Sequence, residues 1–228
     1  MIIDPNLQQA FGYLLPTLGV MKNLHGFLPK NILDIGSAHG HFTRLMKVVW
    51  PDAGRYCVEA NMACEAFYGD LDAISSWCGL GDRDGTLTFY KDGQDPVSHG
   101  NGFFLEDTPA FAEGRVISEQ VAVRKLDTLW TGVQFDFIKI DTQGSEYDII
   151  MGGKNTISRA KAVLVECSFL KYNKGAPLID DVIRVMQHLG FMIYDIVGPW
   201  NGGFGYQGRK TQADVMFIRR DLESWLSL

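Results

Sequence analysis

The amino-acid sequence predicts a doubly wound α/β fold built on a mostly parallel sheet. Short apolar runs alternate with segments whose apolar residues recur at helical spacing, as expected for parallel strands joined by covering helices. The last two predicted strands leave no room for a helix between them, so they should pair antiparallel at one edge. The chain has 228 residues, 46% of them hydrophobic, which suits one domain with its own core.

The first predicted elements are a leading helical segment and then a strand, a glycine turn and a helix. Residues 7–25 have helical apolar spacing that ends at Gly26 and Pro29, which predicts one helix or two short ones. Residues 31–35 form a short buried strand in this prediction. The apolar residues of 42–49 recur at i, i+3, i+4 and i+7, so this segment should lay one helical face on the sheet.

The middle of the chain continues the alternation of predicted strands and helices as far as residue 90, and the segment after it has no regular pattern. A predicted strand ends at Glu59, and the elements that follow are a helix at 62–71, a strand at 74–80, a turn at 81–85 and a strand at 86–90. Residues 91–115 contain four glycines, two prolines and no sustained period. They predict a long, mobile loop that either lies near a functional site or is poorly ordered.

The second half of the chain supplies the remaining strands. Regular secondary structure is predicted again at 121–123 and 126–129. A strongly β-prone segment follows and ends at Asp141. A further predicted strand ends at Glu166, and a glycine-rich loop between Gly198 and Gly208 separates the last two strands. The predicted elements of this half are strands at 135–140, 162–165, 191–197 and 213–218 and helices at 146–160 and 179–190.

Charge and cysteine content limit the classes of function. The 21 basic and 27 acidic residues give a net charge of −6 without a basic run, which argues against a nucleic-acid partner. The four cysteines are scattered, without a C-x-x-C pair or a histidine cluster, so we expect reduced thiols in a cytoplasmic protein. No apolar stretch approaches the roughly 18 residues that span a membrane, and the start does not resemble a signal peptide.

Polar and glycine-rich strand ends mark a candidate ligand site. In a doubly wound sheet, ligands bind beyond the carboxyl ends of the strands, where the strand order reverses. Gly36 and Gly40 follow the first strand, and Glu59 ends the next, where a carboxylate can accept hydrogen bonds from both ribose hydroxyls. The turn lacks the second glycine of G-x-G-x-x-G, which disfavours NAD and FAD, and it lacks the lysine of a P-loop. A purely structural glycine turn remains the alternative.

Several motifs together resemble the FkbM-type family of S-adenosylmethionine-dependent methyltransferases, over about residues 31–219. The motifs that carry the resemblance are LDIGSAHG at 33–40, EAN at 59–61, GDRDGTLTF at 81–89, KLDTL at 125–129 and FDFIKIDTQGSE at 135–146. The resemblance implies the Rossmann-like, seven-stranded sheet of class I methyltransferases with an antiparallel terminal strand pair. It also implies a methyltransferase domain over 31–228, with residues 1–30 as an N-terminal helical segment packed on it.

Two residues depart from the family pattern. Ala38 occupies a place where a glycine is common in such cofactor loops. Gln143 stands where FkbM-type sequences usually have glutamate. An amide cannot take up a proton near neutral pH and is a poorer cation ligand, so Gln143 weakens either role there.

The resemblance implies S-adenosylmethionine as the cofactor and assigns residues to it. Asp34 would help to hold the ammonium group of the methionine end, Glu59 would bind the ribose with support from Asn61, and residues 80–82 would border the adenine. For Asp82, capping of its own turn is an equal alternative. The implied cofactor-binding residues are Asp34, Gly36, Ser37, His39, Gly40, His41, Phe42, Glu59, Ala60, Asn61, Leu80, Gly81, Asp82 and Asp141.

Candidate catalytic residues are the acids at the strand ends and one loop histidine. Asp141, Glu166 and Glu146 are the carboxylates placed to remove a hydroxyl proton, although Glu146 is equally suited to the first turn of a helix. His99 could act as a base from the predicted loop, with a solvated histidine as the alternative. Trp200, Phe204 and Tyr206 would form an aromatic wall for the acceptor.

Three functions are consistent with these residues. The first is an O-methyltransferase that modifies a hydroxyl of a sugar, glycan or polyketide-like small molecule, and the family resemblance supplies that acceptor class. The second is a metal-assisted variant with the ion on Asp141 and Glu166, against which Gln143 and the lack of a compact ligand cluster count. The third is a cofactor-binding regulatory module without catalysis. None of the three requires a nucleic acid or a membrane.

Overall fold

The computed structural model describes residues 4–112, 114–201 and 209–226 of the chain. Its helices are α1 (Pro5–Phe11), α2 (Leu15–Asn23), α3 (His41–Val49), α4 (Leu126–Leu129), α5 (Glu146–Gly152), α6 (Lys154–Ile157) and α7 (Ile179–His188). Its strands are β1 (Asn31–Ile35), β2 (Gly54–Glu59), β3 (Ile74–Trp77), β4 (Gly79–Leu80), β5 (Gly85–Asp92), β6 (Val116–Arg124), β7 (Phe137–Ile140), β8 (Ala162–Ser168), β9 (Phe191–Asn201) and β10 (Lys210–Arg219). Short 3₁₀ helices cover Gly12–Leu14, Met62–Phe67, Pro109–Phe111 and Arg220–Leu226.

The main sheet has seven strands in the order β3-β2-β1-β7-β8-β10-β9. The first five are parallel, and β10 runs antiparallel to both of its neighbours. This arrangement confirms the predicted doubly wound sheet with an antiparallel terminal pair. The strand order reverses between β1 and β7, and this reversal opens a crevice above their carboxyl ends.

A second, three-stranded sheet of order β4-β6-β5 was not predicted. The predicted strand at 74–80 divides, because β3 stays in the main sheet while β4 turns away to pair with β6. β5 and β6 pair antiparallel over eight residues each, from Gly85 opposite Val123 to Asp92 opposite Val116. The chain between them, predicted as a loop from 91 to 115, therefore begins and ends in paired strands.

Two predicted helices differ from the structure. The predicted helix at 62–71 is a 3₁₀ helix that ends at Phe67. The predicted helix at 146–160 is interrupted at Gly153, whose φ of −119° is not helical, and this break separates α5 from α6. An added Cβ at Gly153 would lie 3.0 Å or less from the Leu126 side chain, so this glycine lets the break pack closely.

The core lies on both faces of the main sheet. On one face, Leu14, Leu18 and Met21 of the N-terminal segment are fully buried together with Phe42 and Phe137. On the other face, α5 and α7 cover residues of β1, β7 and β8. The N-terminal segment is thus part of the packing that supports the centre of the sheet.

The described residues include no helix long and apolar enough to cross a membrane. The four cysteines are buried and free.

Candidate functional site

A cavity of about 510 Å³ opens above the carboxyl ends of β1, β2, β7 and β8, beside the reversal of strand order. Its walls contain most of the residues predicted for the site. These are Gly36, Ser37, His39, His41, Phe42, Glu59, Ala60, Asn61, Leu80, His99, Asp141 and Glu166. The described walls do not include Asp34, Gly40, Gly81, Asp82 or Glu146.

The glycine turn after β1 brings the backbone close to β7. Gly36 has a φ of +73°, and an added Cβ would overlap the backbone carbonyl oxygen of Asp141. Ala38 is also left-handed, with a φ of +42°, and its N–H donates to Glu59 Oε2 at 2.8 Å. Gly40 precedes α3 with a φ of +73° and does not line the cavity. The close approach of β1 to β7 therefore requires glycine at position 36.

Glu59 lies at the end of β2 and is 7% exposed. Its carboxylate accepts N–H bonds from Ala38 and from Asn61, the latter at 2.7 Å. A carboxylate offers about four acceptor positions, so these two bonds leave capacity for two hydroxyl donors. Burial raises the pKa of Glu59, and the backbone donors act in the opposite direction.

The residues predicted beside an adenine divide between two cavities. Leu80 lines the main cavity, whereas Gly81 and Asp82 line a second one of about 390 Å³. The two cavities share Leu80, Phe103 and Ser145. Leu80 is therefore the member of this trio that can contact a ligand in the main cavity.

The segment between β5 and β6 covers one side of the main cavity, in agreement with its predicted position near a site. Ser98, His99, Gly100, Asn101 and Phe103 contribute to the wall. Two polar contacts hold the segment there. Asn61 Nδ2 donates to the Pro96 carbonyl at 2.8 Å, and His39 Nε2 lies 3.1 Å from the Val97 carbonyl.

The histidines of the cavity form a small cluster. The His99 ring centroid lies 4.6 Å from that of His39, which lies 5.8 Å from that of His41. Burial lowers the pKa of His99, and the neighbouring His39 adds to this effect. A neutral imidazole is therefore the favoured form of His99 near neutral pH.

A buried lysine, Lys139, lies at the cavity wall between two acids. Lys139 on β7 is 3% exposed, and its Nζ lies 2.9 Å from Asp141 Oδ2 and 3.7 Å from Asp34 Oδ1. Asp34 also accepts a 2.7 Å hydrogen bond from Thr43 and does not line the cavity. Burial opposes both charges, but the carboxylates raise the pKa of Lys139 and its ammonium lowers the pKa of Asp141. Asp141 is therefore held ionised.

Gln143 connects Asp141 to Glu166. Its backbone is left-handed, with a φ of +56°, and its Nε2 donates to Glu166 Oε2 at 2.7 Å and to Asp141 Oδ1 at 3.3 Å. Gln212 donates to the other carboxyl oxygen of Glu166 and accepts from Tyr172. A glutamate at 143 could not donate to both acids unless it were protonated.

The carboxyl groups of Asp141 and Glu166 lie on either side of one amide nitrogen, Gln143 Nε2. Two buried carboxylates that are neighbours in this way oppose each other's ionisation. Burial raises the pKa of Glu166 well above its usual value, and the negative charges of Asp141 and Asp214 raise it further. Because the Lys139 ammonium favours the ionised form of Asp141, Glu166 is the more readily protonated acid of the two.

Sequence reasoning missed Asp214, a further acid of the cavity wall. It lies opposite Glu166 in the β8–β10 pairing and accepts a 2.5 Å hydrogen bond from Tyr13. Burial raises the pKa of Asp214 to about 6, with Asp141 adding to the effect. In the sequence, Asp214 is the one acid within the apolar segment 213–218. A buried acid among apolar residues must be paired or functional, so this pattern could have indicated it. Nothing local in the sequence indicates its partner, Tyr13.

Glu146 is placed as a helix-terminal acid and not as a cavity residue. Its carboxylate accepts from Thr142 N at 2.8 Å, from Thr142 Oγ1 at 3.0 Å and from Gly144 N at 3.0 Å. These bonds stabilise the turn between β7 and α5, where a negative charge also complements the helix dipole. Of its two predicted roles, the geometry favours the structural one.

Two further predictions concern a metal and an aromatic wall. Within residues 4–112, 114–201 and 209–226, no group of three or more His, Cys, Asp or Glu side chains is arranged to hold a metal ion. Phe204 and Tyr206 lie outside the described residues, as does the Trp200 side chain.

Comparison with known proteins identifies relatives of the chain. A family model described as a methyltransferase FkbM domain matches residues 34–193. A 2-O-methyltransferase, NoeI, from Sinorhizobium fredii (strain NBRC 101917 / NGR234) is 27% identical over an alignment of 165 residues, and the match covers 63% of this chain and 65% of that protein. The chain thus spans slightly less than two thirds of this curated relative.

Among solved structures, magnesium protoporphyrin IX methyltransferase (ChlM) from Synechocystis PCC 6803 with bound SAM superposes with a TM-score of 0.50. It is 12% identical, and the match covers 93% of this chain and 79% of that one. At this identity the likeness shows a shared fold.

Proposed function

Because the chain belongs to the FkbM methyltransferase family, we propose that it transfers a methyl group from S-adenosylmethionine to a hydroxyl of a sugar, glycan or polyketide-like small molecule. The observation that carries the proposal is one cavity joining the Glu59 carboxylate on β2 to the carboxyl pair Asp141–Glu166 on β7 and β8. A cavity of about 510 Å³ falls within the usual range for small-molecule sites. The name of the curated relative, a 2-O-methyltransferase, supports oxygen as the methylated atom.

The residues at the β1–β2 side of the cavity fit the cofactor. Gly36 lets the turn after β1 pass close to the Asp141 backbone, and Glu59 retains acceptor capacity for the ribose hydroxyls. We assign the methionine end to the turn at 36–40 and the adenine to the neighbourhood of Leu80. Asp34 would act on the ammonium group only indirectly, because it is bonded to Thr43 and lies beneath the wall.

The β7–β8 side of the cavity then serves the acceptor. When bound, S-adenosylmethionine supplies a methyl group already activated by the positive sulfur, so the chain's main task is to orient the two reactants. We assign Glu166 as the base that takes the acceptor hydroxyl proton, because it lines the β7–β8 side of the cavity and a carboxyl with a raised pKa is a stronger base when ionised. Such a base typically contributes a factor of about 10² to 10⁴. Asp141 and Gln143 position it.

The remaining candidate residues receive lesser roles in this proposal. His99 and His39 shape the wall and hold the segment before Phe103, and Glu146 stabilises the turn after β7. We also propose that residues 31–228 form the methyltransferase domain with residues 1–30 packed on it, and that the protein is cytoplasmic. The burial of Leu14 and Leu18 supports the first statement, and the four free cysteines support the second.

Calorimetry with S-adenosylmethionine and S-adenosylhomocysteine tests the cofactor assignment directly. We expect both to bind the folded protein, and binding of neither would contradict the proposal. Methyl-labelled cofactor and a panel of neutral glycosides and hydroxylated polyketides then test the reaction. Tight cofactor binding with no transfer across a broad panel would instead favour a regulatory, non-catalytic module.

A further inference from the structure

Asp214 lines the cavity beside Glu166, and the proposed function leaves it without a task. That function assigns Glu166 as the base, and on this basis we propose that Asp214, held in place by Tyr13, binds the hydroxyl next to the one that is methylated. The acceptor is therefore a neutral sugar ring with two adjacent free hydroxyls. Asp214 is a binding residue for the acceptor in this scheme, and Tyr13 is a positioning residue.

Asp214 and Glu166 lie directly opposite each other in the antiparallel pairing of β10 with β8. Opposite residues of such a pair direct their side chains to the same face of the sheet, with Cβ atoms about 4.5 to 5.5 Å apart. Both side chains line the same cavity. The two carboxyl groups are thus neighbours on one wall, as adjacent hydroxyls are neighbours on one ring.

The two acids differ in the hydrogen bonds that their oxygens accept. Each oxygen of Glu166 accepts one amide N–H, from Gln143 or from Gln212. Asp214 accepts the Tyr13 hydroxyl on Oδ2, and its Oδ1 has no hydrogen-bond partner among the described residues. A carboxylate offers about four acceptor positions, so both acids retain capacity for a hydroxyl donor. Because Asp214 is 7% exposed and lines the cavity, that donor has to come from a ligand or from water there.

A close fit against β9 places Tyr13. Its ring lies on Gly198, where an added Cβ would overlap three atoms of the ring. The φ of Gly198 is +52°, a left-handed conformation that favours glycine. From this position the Tyr13 hydroxyl donates to Asp214 Oδ2 at 2.5 Å. The phenol therefore fixes the Asp214 carboxylate through one oxygen and leaves the other to the acceptor.

Charge and hydrogen bonding together narrow the class of acceptor. Asp141, Glu166 and Asp214 line this side of the cavity, and the lysine among them, Lys139, is already paired with Asp34 and Asp141. A phosphate or carboxylate beside the reacting hydroxyl would therefore meet like charge. A flat phenolic ring with one hydroxyl would leave the free oxygen of Asp214 buried under apolar surface, which is unfavourable. A neutral sugar avoids both costs, because each of its hydroxyls can donate a hydrogen bond.

Saturation-transfer NMR tests this acceptor class on the full chain loaded with S-adenosylhomocysteine. The probes are simple neutral methyl glycosides, the counterparts of each that lack one ring hydroxyl, and naphthol as a flat phenolic ring. We expect at least one glycoside to bind. Removal of either of two neighbouring hydroxyls should raise its Kd at least about fivefold, because each donates to a charged acceptor.

Variants assign the two hydroxyl contacts. In Asp214→Ala, binding should become insensitive to removal of one of the two hydroxyls and stay sensitive to the other, which faces Glu166. Tyr13→Phe should weaken the same sensitivity to a smaller extent. Asp195→Ala is the matched control and should keep both sensitivities, because Asp195 also accepts a hydroxyl of the N-terminal segment, that of Thr17 at 2.6 Å, but does not belong to the described cavity wall.

Sensitivity to both hydroxyls in a folded Asp214→Ala protein would overturn the inference. A wild-type protein that binds S-adenosylhomocysteine but no glycoside, or that prefers naphthol to every glycoside, would also overturn it and leave the cofactor assignment intact. The wild-type comparison stands even if a variant does not fold. Binding of neither S-adenosylmethionine nor S-adenosylhomocysteine would instead overturn the proposed function itself.

Discussion

The ribose contact assigned to Glu59 leads to the most direct prediction about affinity. Replacing Glu59 by alanine removes a carboxylate that lines the cavity and is 7% exposed. Hydrogen bonds to a charged acceptor contribute about 1.5 to 3 kcal/mol each. Because Ala38 and Asn61 already donate to this carboxylate, we expect each of the two ribose hydroxyls to contribute less than that, about 0.5 to 1.5 kcal/mol, which gives a total of about 1 to 3 kcal/mol. This corresponds to a Kd raised about 5- to 150-fold.

The assay is calorimetric titration with S-adenosylhomocysteine, well below the melting temperature of the variant. Glu65→Ala is the matched control, since Glu65 is an exposed acid six residues further along, and its affinity should match the wild type. An analogue without the 2′-hydroxyl separates ribose contact from general loosening of the turn. This analogue should bind the wild type more weakly than S-adenosylhomocysteine does. Its affinity should fall little further when Glu59 is replaced by alanine. Unchanged affinity in a folded Glu59→Ala protein would refute the assignment.

Three further predictions follow from the geometry of the site and its surroundings. Gly36→Ala should abolish cofactor binding and lower the melting temperature, because the new Cβ overlaps the Asp141 carbonyl. Calorimetry and thermal unfolding measure these two effects. Normal cofactor binding by the variant would contradict the prediction. Gln143→Glu places a third acid beside Asp141 and Glu166, whose negative charge raises the pKa of the new carboxyl. In urea unfolding the variant should therefore lose stability relative to wild type as pH rises from 5 to 8, and a constant difference would contradict this prediction. The hydrogen bonds from Arg115 lower the pKa of Asp92 to about 2. The stabilising effect of this ion pair should therefore persist above pH 4 and disappear as pH falls towards 2. In Arg115→Gln, carbon-detected NMR titration should show the pKa of Asp92 return towards its ordinary value.

The strand ends were the most predictable part of this molecule. Asp34, Glu59, Asp141 and Glu166 each follow an apolar run, and parallel strands bring their carboxyl ends to one edge of a sheet. Local pattern and topology therefore agree for these residues. Glycine at position 36 has an equally simple cause, because the chain must turn sharply where it passes β7.

Other features depend on contacts that local sequence does not encode. The pairing of Gly79 with Val123 creates the small sheet, yet no periodicity distinguishes a strand that changes sheets from one that continues. Asp82 lies in the correct turn for an adenine contact but faces a second cavity, because the chain leaves the main sheet just before it. The role of Gln143 likewise depends on Glu166, which lies on another strand.

The bond between Tyr13 and Asp214 joins residues 201 positions apart in the chain. Both residues line the cavity, so its wall is complete only when an early turn meets one of the last strands. During synthesis the segment that contains Tyr13 is made first, and it cannot contact Asp214 until β10 has been made. The entropy cost of closing so long a loop must also be met before the contact stabilises the fold. The glycine turn and Glu59 are made well before that. We therefore expect a nascent chain to acquire its sheet centre early and its capacity to bind cofactor only near the end of translation.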